Sequence, residues 1–579
     1  MSKNENITDQ RHTLSHVLAA AVLELFPEAK TAMGPATDNG FYYDFDFGEE
    51  KIREEDLRKI EKKMKEILPT FGTPEERKMN EKEAREYFKD NPYKLELIDE
   101  LTEAGESLTF YASEKFTDLC KGGHVSDIKD ISPDSFVLSH IAGAYWRGDE
   151  NNKMLTRIYG LAFSDKKELD EYLDFLEKAK ERDHRKIGKE MDLFTFSDAI
   201  GPGLPLWTPR GTAMRDALLK KLQDIQKKYG FEHVTIPHIT KPTLYEKSGH
   251  AQKFGEELLK VKSKSGDFVL KPMNCPHHTQ IFASSAKSYR DLPARYSEVT
   301  MVYRDEQKGE LLGLSRVLSI TQDDAHVFCT PEQVKDEITK IVYIVQEFYT
   351  ALGLYEKDNF RVFLSTDDPK EPEKYIGSKE EWDKAKKILE EVAKEEDLPY
   401  RIEIGEAAFY GPKLDFMFKD AIGREWQLAT VQLDFSMPKR FELEYTDKDG
   451  KKKTPVMIHR AVAGSLERFF SVLIEHFAGF FPFWLAPVQM KVISIGGDHK
   501  EYAQEIHNLM SEKGYRVELD NSDENLSKKI RNAKKEKVPF LLVVGNNEMK
   551  NNTVTLEGRE GKIGEKTPKE LLELLEQEQ

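Results

Sequence analysis

The sequence predicts a multidomain protein combining α+β with α/β architecture, from its length, a mixture of short strand-like runs and amphipathic helices over most of the chain, and a strict strand–helix alternation near the C-terminus. Its 579 residues are too many for one core, since domains run to about 100–200 residues. With 39% hydrophobic and 33% charged residues the composition is that of a soluble chain. The polar start MSKNENITDQRH lacks the apolar core of a secretion signal. The most apolar stretch, FAGFFPFWLAPV, is broken by Gly and Pro and is shorter than the roughly 18 residues of a membrane helix. A cytoplasmic protein with no membrane partner is expected. Three cysteines, Cys120, Cys275 and Cys329, form no even disulfide framework and suit metal or site chemistry better. A formal charge of −17 argues against binding nucleic acid by overall attraction, while a local basic face could still hold phosphates.

Element by element, ITDQRHTLSHVLAAAVLELFPEA reads as a helix entered near Thr8 or Asp9 as N-cap and stopped by Pro27. The strand-like runs GFYYDFDF, SLTFYA and SFVLSHIA, with the charged helix IREEDLRKIEKKMKEIL, complete an α+β domain over residues 1–164. Leu169, Tyr172, Leu173, Leu176 and Ala179 keep helical spacing amid dense charge and predict a connecting helix within 165–190. GPGLPLWTPRG opens the largest domain, 191–485, followed by a helix with Met214, Leu218, Leu222, Ile225 and Tyr229 on one face and Gly230 as its stop. The strands FEHVTIP, EVTMVYR, RVFLST, YRIEI, LDFMFK and TVQLDF, closed by a long helix from about Ser465, predict a mostly antiparallel sheet covered by helices. KVISIG, EYAQEIHNLMSEKG, YRVELD, NLSKKIRNAKKEK and PFLLVVG alternate as a βαβαβ unit over 486–579, and KELLELLEQEQ reads as a terminal helix.

RYSEVTMVYRDE, the polar loop QKGE and LLGLSRVLSITQDDAH predict two strands joined by a loop, with Arg304 near the end of the first and Arg316 in the second. AVAGSLERFF puts Arg468 in the first turns of a helix. The planar fork of arginine suits phosphate oxygens, although each of these residues alone reads more readily as an ordinary surface ion pair. Their context points further. PRGTAMRDAL with GFEHVTIP, YRDE with its return strand, and AGSLERF resemble motifs 1, 2 and 3 of class II aminoacyl-tRNA synthetases, and KPMNCP, TQDDAHVF, FYGPKLDF, WQLATVQLDF and HRAVAGSLERF resemble, in order, the threonine-specific members.

That resemblance implies a class II antiparallel-sheet catalytic core at 191–485, an α+β editing-like domain at 1–164 and an α/β anticodon-binding domain at 486–579, joined by the 165–190 helix. It implies ATP-dependent activation of L-threonine and its transfer to tRNA(Thr), with Mg2+ accompanying ATP. Arg304 would hold the α-phosphate, Glu306 the adenine, Arg316 and Arg468 the triphosphate, with Gln427 and Gln432 as further nucleotide contacts. Arg304, Arg468 and Lys413 would be catalytic, and Asp324, Met273, Tyr410, Lys413 and Gln432 would bind threonine, Asp324 through its ammonium. Cys275, His326 and His459 lie too far apart for any ligand-spacing rule, yet the family uses these positions as three zinc ligands with coordination left open for substrate. Threonine can offer its amino group and its hydroxyl to such a metal, whereas a pocket relying on shape rejects isosteric valine only about 100-fold.

Serine carries the same two groups, and its missing methyl is worth only about 1–3 kcal/mol, so a correction step is expected. His12 and His16 share a helix face, and DLCKGGH puts Cys120 and His124 beside two glycines. H-x3-H with C-x3-H suggests zinc, whereas the resemblance implies hydrolysis of seryl-tRNA(Thr) by positioned water without metal, Asp118 completing the site. In the last domain Lys528, Lys529, Arg531, Lys534, Lys535 and Lys537 crowd one helix that could meet phosphates. Glu548 stands where the family reads the anticodon, while Glu557 occupies a position expected to be basic. Leu318, His277, Leu428, Ala429 and Gly123 also depart from the family pattern. The chain starts at the editing-like helix, so the small ubiquitin-like domain that begins many relatives is expected to be absent. Motif 1 implies a homodimer. The competing reading is a catalytically idle paralogue that binds tRNA or mRNA as a regulator, a protein that would not need the ligands and arginines this chain retains.

Overall fold

The computed structural model describes residues 3–306, 308–356 and 359–578. It divides into two compact units, Met1–Lys178 and Ala179–Gln579.

In the first unit α1 (Lys3–Leu25) is buried along its middle, from Leu14 through Val22. A helix apolar on every side needs cover on every side. That cover is β1 (Gly40–Asp46) and α2 (Glu54–Ile67), whose Phe41, Tyr43, Phe45, Ile60 and Met64 share its core. β2 (Phe136–Tyr145) and β3 (Met154–Ala162) extend the sheet, β3 pairing antiparallel with both β1 and β2. The expected N-cap at Thr8 or Asp9 is corrected: the helix begins at Lys3, and Asp9 lies inside it. No Gly or Pro in KNENI interrupts the hydrogen-bond ladder, so the cap signal loses to simple continuation. Three short antiparallel strands, Glu75–Arg77, Phe110–Ala112 and Thr117–Leu119, form a second sheet whose last strand carries Asp118 and leads into Cys120.

The single connecting helix expected within 165–190 is two helices, α3 (Lys166–Glu181) and α4 (His184–Glu190). Asp183 breaks them, its carboxylate accepting from the Arg185 backbone N–H at 2.8 Å as an N-cap.

In the second unit α5 (Pro209–Lys228) starts at Thr208, whose hydroxyl accepts from Gly211 N–H, and buries Met214, Leu218, Leu222 and Ile225. Eight strands follow: β4 (Glu232–His233), β5 (Ala294–Tyr303), β6 (Ser319–Cys329), β7 (Phe360–Thr366), β8 (Tyr400–Ile404), β9 (Lys413–Lys419), β10 (Glu425–Asp434) and β11 (Val456–Ala461). Their order is β4-β5-β6-β11-β10-β9-β7-β8, antiparallel except for β4/β5 and β7/β8. FEHVTIP thus contributes two paired residues before Pro237, fewer than its pattern suggested. One cross-strand row positions much of the site. Tyr296 faces His326, His326 faces His459, His459 faces Gln432, and Gln432 faces Lys413 across β5, β6, β11, β10 and β9. Directly opposed residues project from the same face of a sheet, so the register gathers side chains that are far apart in sequence. The helices α6 (Cys275–Ala283) and α7 (Leu466–Phe477) supply Cys275 and Arg468, α7 being capped by Ser465.

Arg316 is not in the return strand as expected. β6 starts at Ser319, and Arg316 closes a tight turn by reciprocal backbone bonds with Leu312, which Gly313 permits at φ +49°.

At the C-terminus β12 (Met490–Ser494), β13 (Val517–Asp520) and β14 (Phe540–Val544) form the parallel part of a sheet ordered β13-β12-β14-β15-β16. The hairpin β15 (Val554–Gly558) and β16 (Gly561–Lys566) extends it antiparallel. The basic face of α8 (Leu526–Lys535) is smaller than expected. Lys529 is buried and donates to Ser494 O at 2.9 Å, Lys537 lies beyond the helix and donates to Ala478 O, and Lys534 pairs with Glu557 at 2.6 Å. Among the described residues no helix is long and apolar enough to cross a membrane.

Candidate active site and metal centre

Cys275 opens α6, while His326 and His459 face each other on β6 and β11; their ligand atoms lie within 4.8 Å of one another, all three residues buried. His326 Nε2 and His459 Nδ1 approach to 3.0 Å. The outer nitrogen of each ring is held from behind, His326 Nδ1 by His278 Nδ1 at 2.8 Å and His459 Nε2 by the Asp434 carboxylate at 2.9 Å. Partners on the outer nitrogens fix ring orientation and leave the inner nitrogens converging, as in metal sites. Burial pushes the Cys275 thiol well up and the His326 imidazole well down. A cation among them would offset the cost of a buried thiolate and take both imidazoles as ligands. The donor set, one sulfur and two imidazole nitrogens, therefore fits a cation that accepts soft and borderline ligands. His278 and Asp434 carry no spacing signal and were not found from the sequence.

Along the same sheet face Asp324 is buried and accepts from Asn274 Nδ2 at 3.1 Å, its carboxyl pushed up by burial. The Tyr410 hydroxyl donates to the Gln432 side-chain carbonyl, and its ring lies 4.8 Å from that of His459. Asp415, missed from the sequence, organises the neighbourhood: its oxygens accept from Lys413 Nζ at 2.5 Å, Gln427 Nε2 at 2.6 Å, and the hydroxyls of Ser365 at 2.7 Å and Thr430 at 3.0 Å.

A cleft of about 160 Å³ brings together Arg304, Glu306, Arg316 and Arg468 with Gln322 and Ser465. Gln427 and Gln432 are not in its lining. Arg304 follows β5, stacks over Phe254, and points Nη2 at the Met273 sulfur at 3.4 Å; burial lowers its guanidinium from the ordinary value, and its Nε has no protein partner. Arg316 pairs with Glu306 and Glu310, and Arg468 Nε donates to Ser315 O at 3.2 Å. Three guanidiniums around one cleft, one of them desolvated with a free donor, make a site for a polyanion.

In the first unit a cavity of about 570 Å³ is lined by His12, His16, Lys94, Asp118, Cys120, Gly122 and Gly123, among others. The His12 and His124 rings stack at 4.2 Å. His124 bonds Cys120 Sγ at 3.3 Å through Nε2 and the Thr13 hydroxyl at 3.2 Å through Nδ1, and His12 Nδ1 meets Gly123 O at 3.1 Å. Gly122 sits at φ +93°, where a Cβ would lie 2.7 Å from the Tyr111 hydroxyl. Asp118 is buried against Lys94, accepts from Tyr43 Oη at 2.5 Å and lies 3.7 Å from His16. Lys94 and Tyr43 carried no sequence signal. Burial lowers all three imidazoles, His16 well down and His124 to about 2, and lifts the Cys120 thiol to about 12. At neutral pH the cluster therefore presents neutral imidazoles and a protonated thiol beside the Asp118–Lys94 pair. His12, His16, Cys120 and His124 also lie close enough to hold a metal.

Glu548 caps the helix Asn546–Asn551, accepting from Gly545 N–H at 3.0 Å and the Thr555 hydroxyl at 2.7 Å. Its carboxylate is already occupied by protein donors.

Residues 108–159 match the threonyl and alanyl tRNA synthetase second additional domain, 259–477 the class II tRNA synthetase core domain (G, H, P, S and T), and 489–578 the anticodon binding domain. The threonine–tRNA ligase of Flavobacterium johnsoniae is 48% identical over 556 residues, covering 95% of this chain and 85% of that protein. That of Porphyromonas gingivalis is 47% identical over 574 residues, 98% of this chain and 87% of that protein. A crystal structure of the RNA binding domain of threonyl-tRNA synthetase from Cryptosporidium parvum superposes with a TM-score of 0.65 at 36% identity, covering 68% of this chain and 98% of that one. Identity near one half along almost the whole length, with the three domains in this order, shows that the chain belongs to the threonine–tRNA ligase family of class II aminoacyl-tRNA synthetases.

Proposed function

We propose that the cleft, the sheet face and the first-unit cavity divide one overall task, the accurate attachment of L-threonine to tRNA(Thr) with ATP. The convergence of Cys275, His326 and His459 with their rings held from behind carries this reading, since it combines a metal-competent donor set with the Asp324 carboxylate on the same sheet face. These three residues would hold zinc, which supplies a Lewis acid able to bind an amino group and a hydroxyl together. Asp324, already buried and hydrogen-bonded on one oxygen, receives the threonine ammonium and orients it. Tyr410, Gln432 and Met273 shape the pocket, with Lys413 held by Asp415 at its edge.

In the cleft Arg304, Arg316 and Arg468 hold the phosphates of Mg2+–ATP, Arg304 meeting the α-phosphate as the carboxylate attacks and negative charge shifts to pyrophosphate. Glu306 takes the adenine, and Gln427, braced by Asp415, and Gln432 supply further nucleotide contacts. In the second step a ribose hydroxyl at the tRNA end takes the aminoacyl group from the adenylate, breaking the mixed anhydride and releasing AMP. Hydrolysis of seryl-tRNA(Thr) belongs to the first unit. His12, whose Nδ1 donates to the Gly123 carbonyl and whose Nε2 is therefore its basic nitrogen, takes the proton of a bound water as that water attacks the seryl ester carbon and passes it to the departing ribose oxygen, while Asp118 and Lys94 orient the water beside His16 and His124, and the protonated Cys120 thiol is unsuited to act as nucleophile. The C-terminal domain binds the anticodon region near Glu548. The working enzyme is a cytoplasmic homodimer, and the domains run 1–164, 165–190, 191–485 and 486–579.

Pyrophosphate exchange with threonine, serine and valine tests the reading. Strong exchange with threonine, weak with serine and none with valine supports it; equal exchange with valine would remove the hydroxyl-sensing pocket.

A further inference from the structure

A buried His/Glu pair lies outside the pockets just described. His184 is the first residue of α4, and its ring is buried between α7 and the turn that ends at Arg316. Its Nε2 lies 3.0 Å from the backbone nitrogen of Leu314, and its Nδ1 lies 2.6 Å from Glu475 Oε1, which also accepts from the His184 backbone N–H at 3.1 Å. The tautomer follows from the geometry. A backbone N–H can only donate, so Nε2 must accept and Nδ1 must carry the proton that faces the carboxylate. Glu475 is itself fixed, its other oxygen 2.5 Å from Arg424 Nη2, and Arg424 is anchored by Asp420 at 2.6 Å.

The turn gripped this way is short and closed. Leu312 and Arg316 exchange backbone bonds, Ser315 N–H donates to Leu312 O, the Ser315 hydroxyl bonds Ser471 at 3.0 Å, and the Ser315 carbonyl accepts from Arg468. Gly313 sits at φ +49° directly on the imidazole, where a Cβ would come 2.3 Å from His184 Nε2 and 2.9 Å from Arg185 Cγ. A side chain there would clash with the ring, and the backbone conformation disfavours one in any case.

We propose that His184, oriented by Glu475, is a positioning residue for the nucleotide: by accepting the Leu314 N–H it holds the 312–316 turn so that Arg316 and the Ser315 carbonyl, and through it Arg468, face the phosphates. The inference rests on the nucleotide reading of the arginine cleft. His184 lines none of that cleft, so its effect reaches ATP through the turn alone.

The test measures threonine-dependent pyrophosphate exchange on the full chain, with the KM for ATP and the KM for threonine determined separately in His184→Ala, His184→Gln, Gly313→Ala and Arg316→Ala. Loss of a buried hydrogen bond that sets loop geometry predicts a rise of about tenfold in KM for ATP in His184→Ala, with KM for threonine within about twofold. His184→Gln, whose side-chain carbonyl can accept the Leu314 N–H, recovers most of the loss. Gly313→Ala, which leaves His184 and Glu475 intact, repeats the rise and covers the case in which His184→Ala does not fold. An unchanged KM for ATP in both His184→Ala and Gly313→Ala, or equal increases for ATP and threonine, would overturn the proposal. Arg316→Ala separates the two layers. If it alone raises KM for ATP, the nucleotide reading stands and the role of His184 falls; if it has no effect while His184→Ala does, the turn positions the nucleotide through Arg468 and the assignment of Arg316 falls.

Discussion

Among the described residues lie two clusters of cysteine and histidine, one in each unit, built from nearly the same residue types and wired differently. In the second unit the outer nitrogens of His326 and His459 are taken by His278 and Asp434, and the inner ones converge with Cys275. In the first unit one bond runs inside the cluster and the others go to its immediate neighbours. Both nitrogens of His124 are engaged, one by Cys120 and one by Thr13, and His12 is tied to the Gly123 carbonyl. The residue types are shared, so the difference lies in the partners behind them. Rings braced from outside leave their inner atoms to a cation, whereas rings whose bonds go to a thiol, a hydroxyl and a backbone carbonyl form a proton-handling network beside a buried carboxylate.

The largest expected effect separates the clusters outright. Cys275→Ala or His326→Ala is expected to lower threonine-dependent exchange by about a thousandfold or more, through loss of a required polar contact in the amino-acid pocket. Hydrolysis of separately prepared seryl-tRNA(Thr) by the same variants should be unchanged, and a parallel loss would mean that the clusters do not act independently. Asp118→Asn is expected to do the reverse, slowing that hydrolysis about a hundredfold while charging with threonine persists; a charging defect of similar size would show that Asp118 serves folding in place of editing. Replacing the braces is a finer cut. His278→Ala or Asp434→Asn should weaken metal binding by about 10- to 100-fold while Cys275 and both ligand imidazoles remain, read by competition with a chelator of known affinity.

The smallest effect concerns pH. Burial lowers His16 well below the ordinary imidazole value and His124 to about 2, so neither gains a proton between pH 8 and pH 6, and it lowers His12 in the same direction. Hydrolysis of seryl-tRNA(Thr) should then fall off only at a pH below the ordinary imidazole value. An imidazole acting as base at its ordinary value near 6.5 would lose activity as pH falls through it, and a profile of that shape would contradict the buried-neutral account.

Periodicity revealed a good part of this. The α5 stripe, the βαβαβ order and the strands carrying Tyr410's neighbours Lys413 and Gln432 follow from apolar spacing, because burial of one face imposes it. The motif resemblance located Cys275, His326 and His459 although no local rule could, since a sheet register and not sequence distance brings His326 opposite His459. Other parts were hidden. His278, Asp434, Asp415 and Lys94 act through tertiary contacts that leave no periodic trace. Arg316 was misplaced because LLGLSRVLSITQ alternates like a strand from its start, and the turn at Gly313 depends on His184, more than a hundred residues upstream. The basic helix misled in a different way. Charge counted along a sequence does not tell which lysines are spent on the protein, as Lys529 and Lys534 are.

Metal stoichiometry by elemental mass spectrometry on the purified chain, its Cys275→Ala variant and its Cys120→Ala variant tests the contrast between the clusters most directly. One zinc per chain in the parent and in Cys120→Ala, and almost none in Cys275→Ala, is the predicted result. Zinc retained in Cys275→Ala but lost in Cys120→Ala would place the metal in the first-unit cavity and contradict the account.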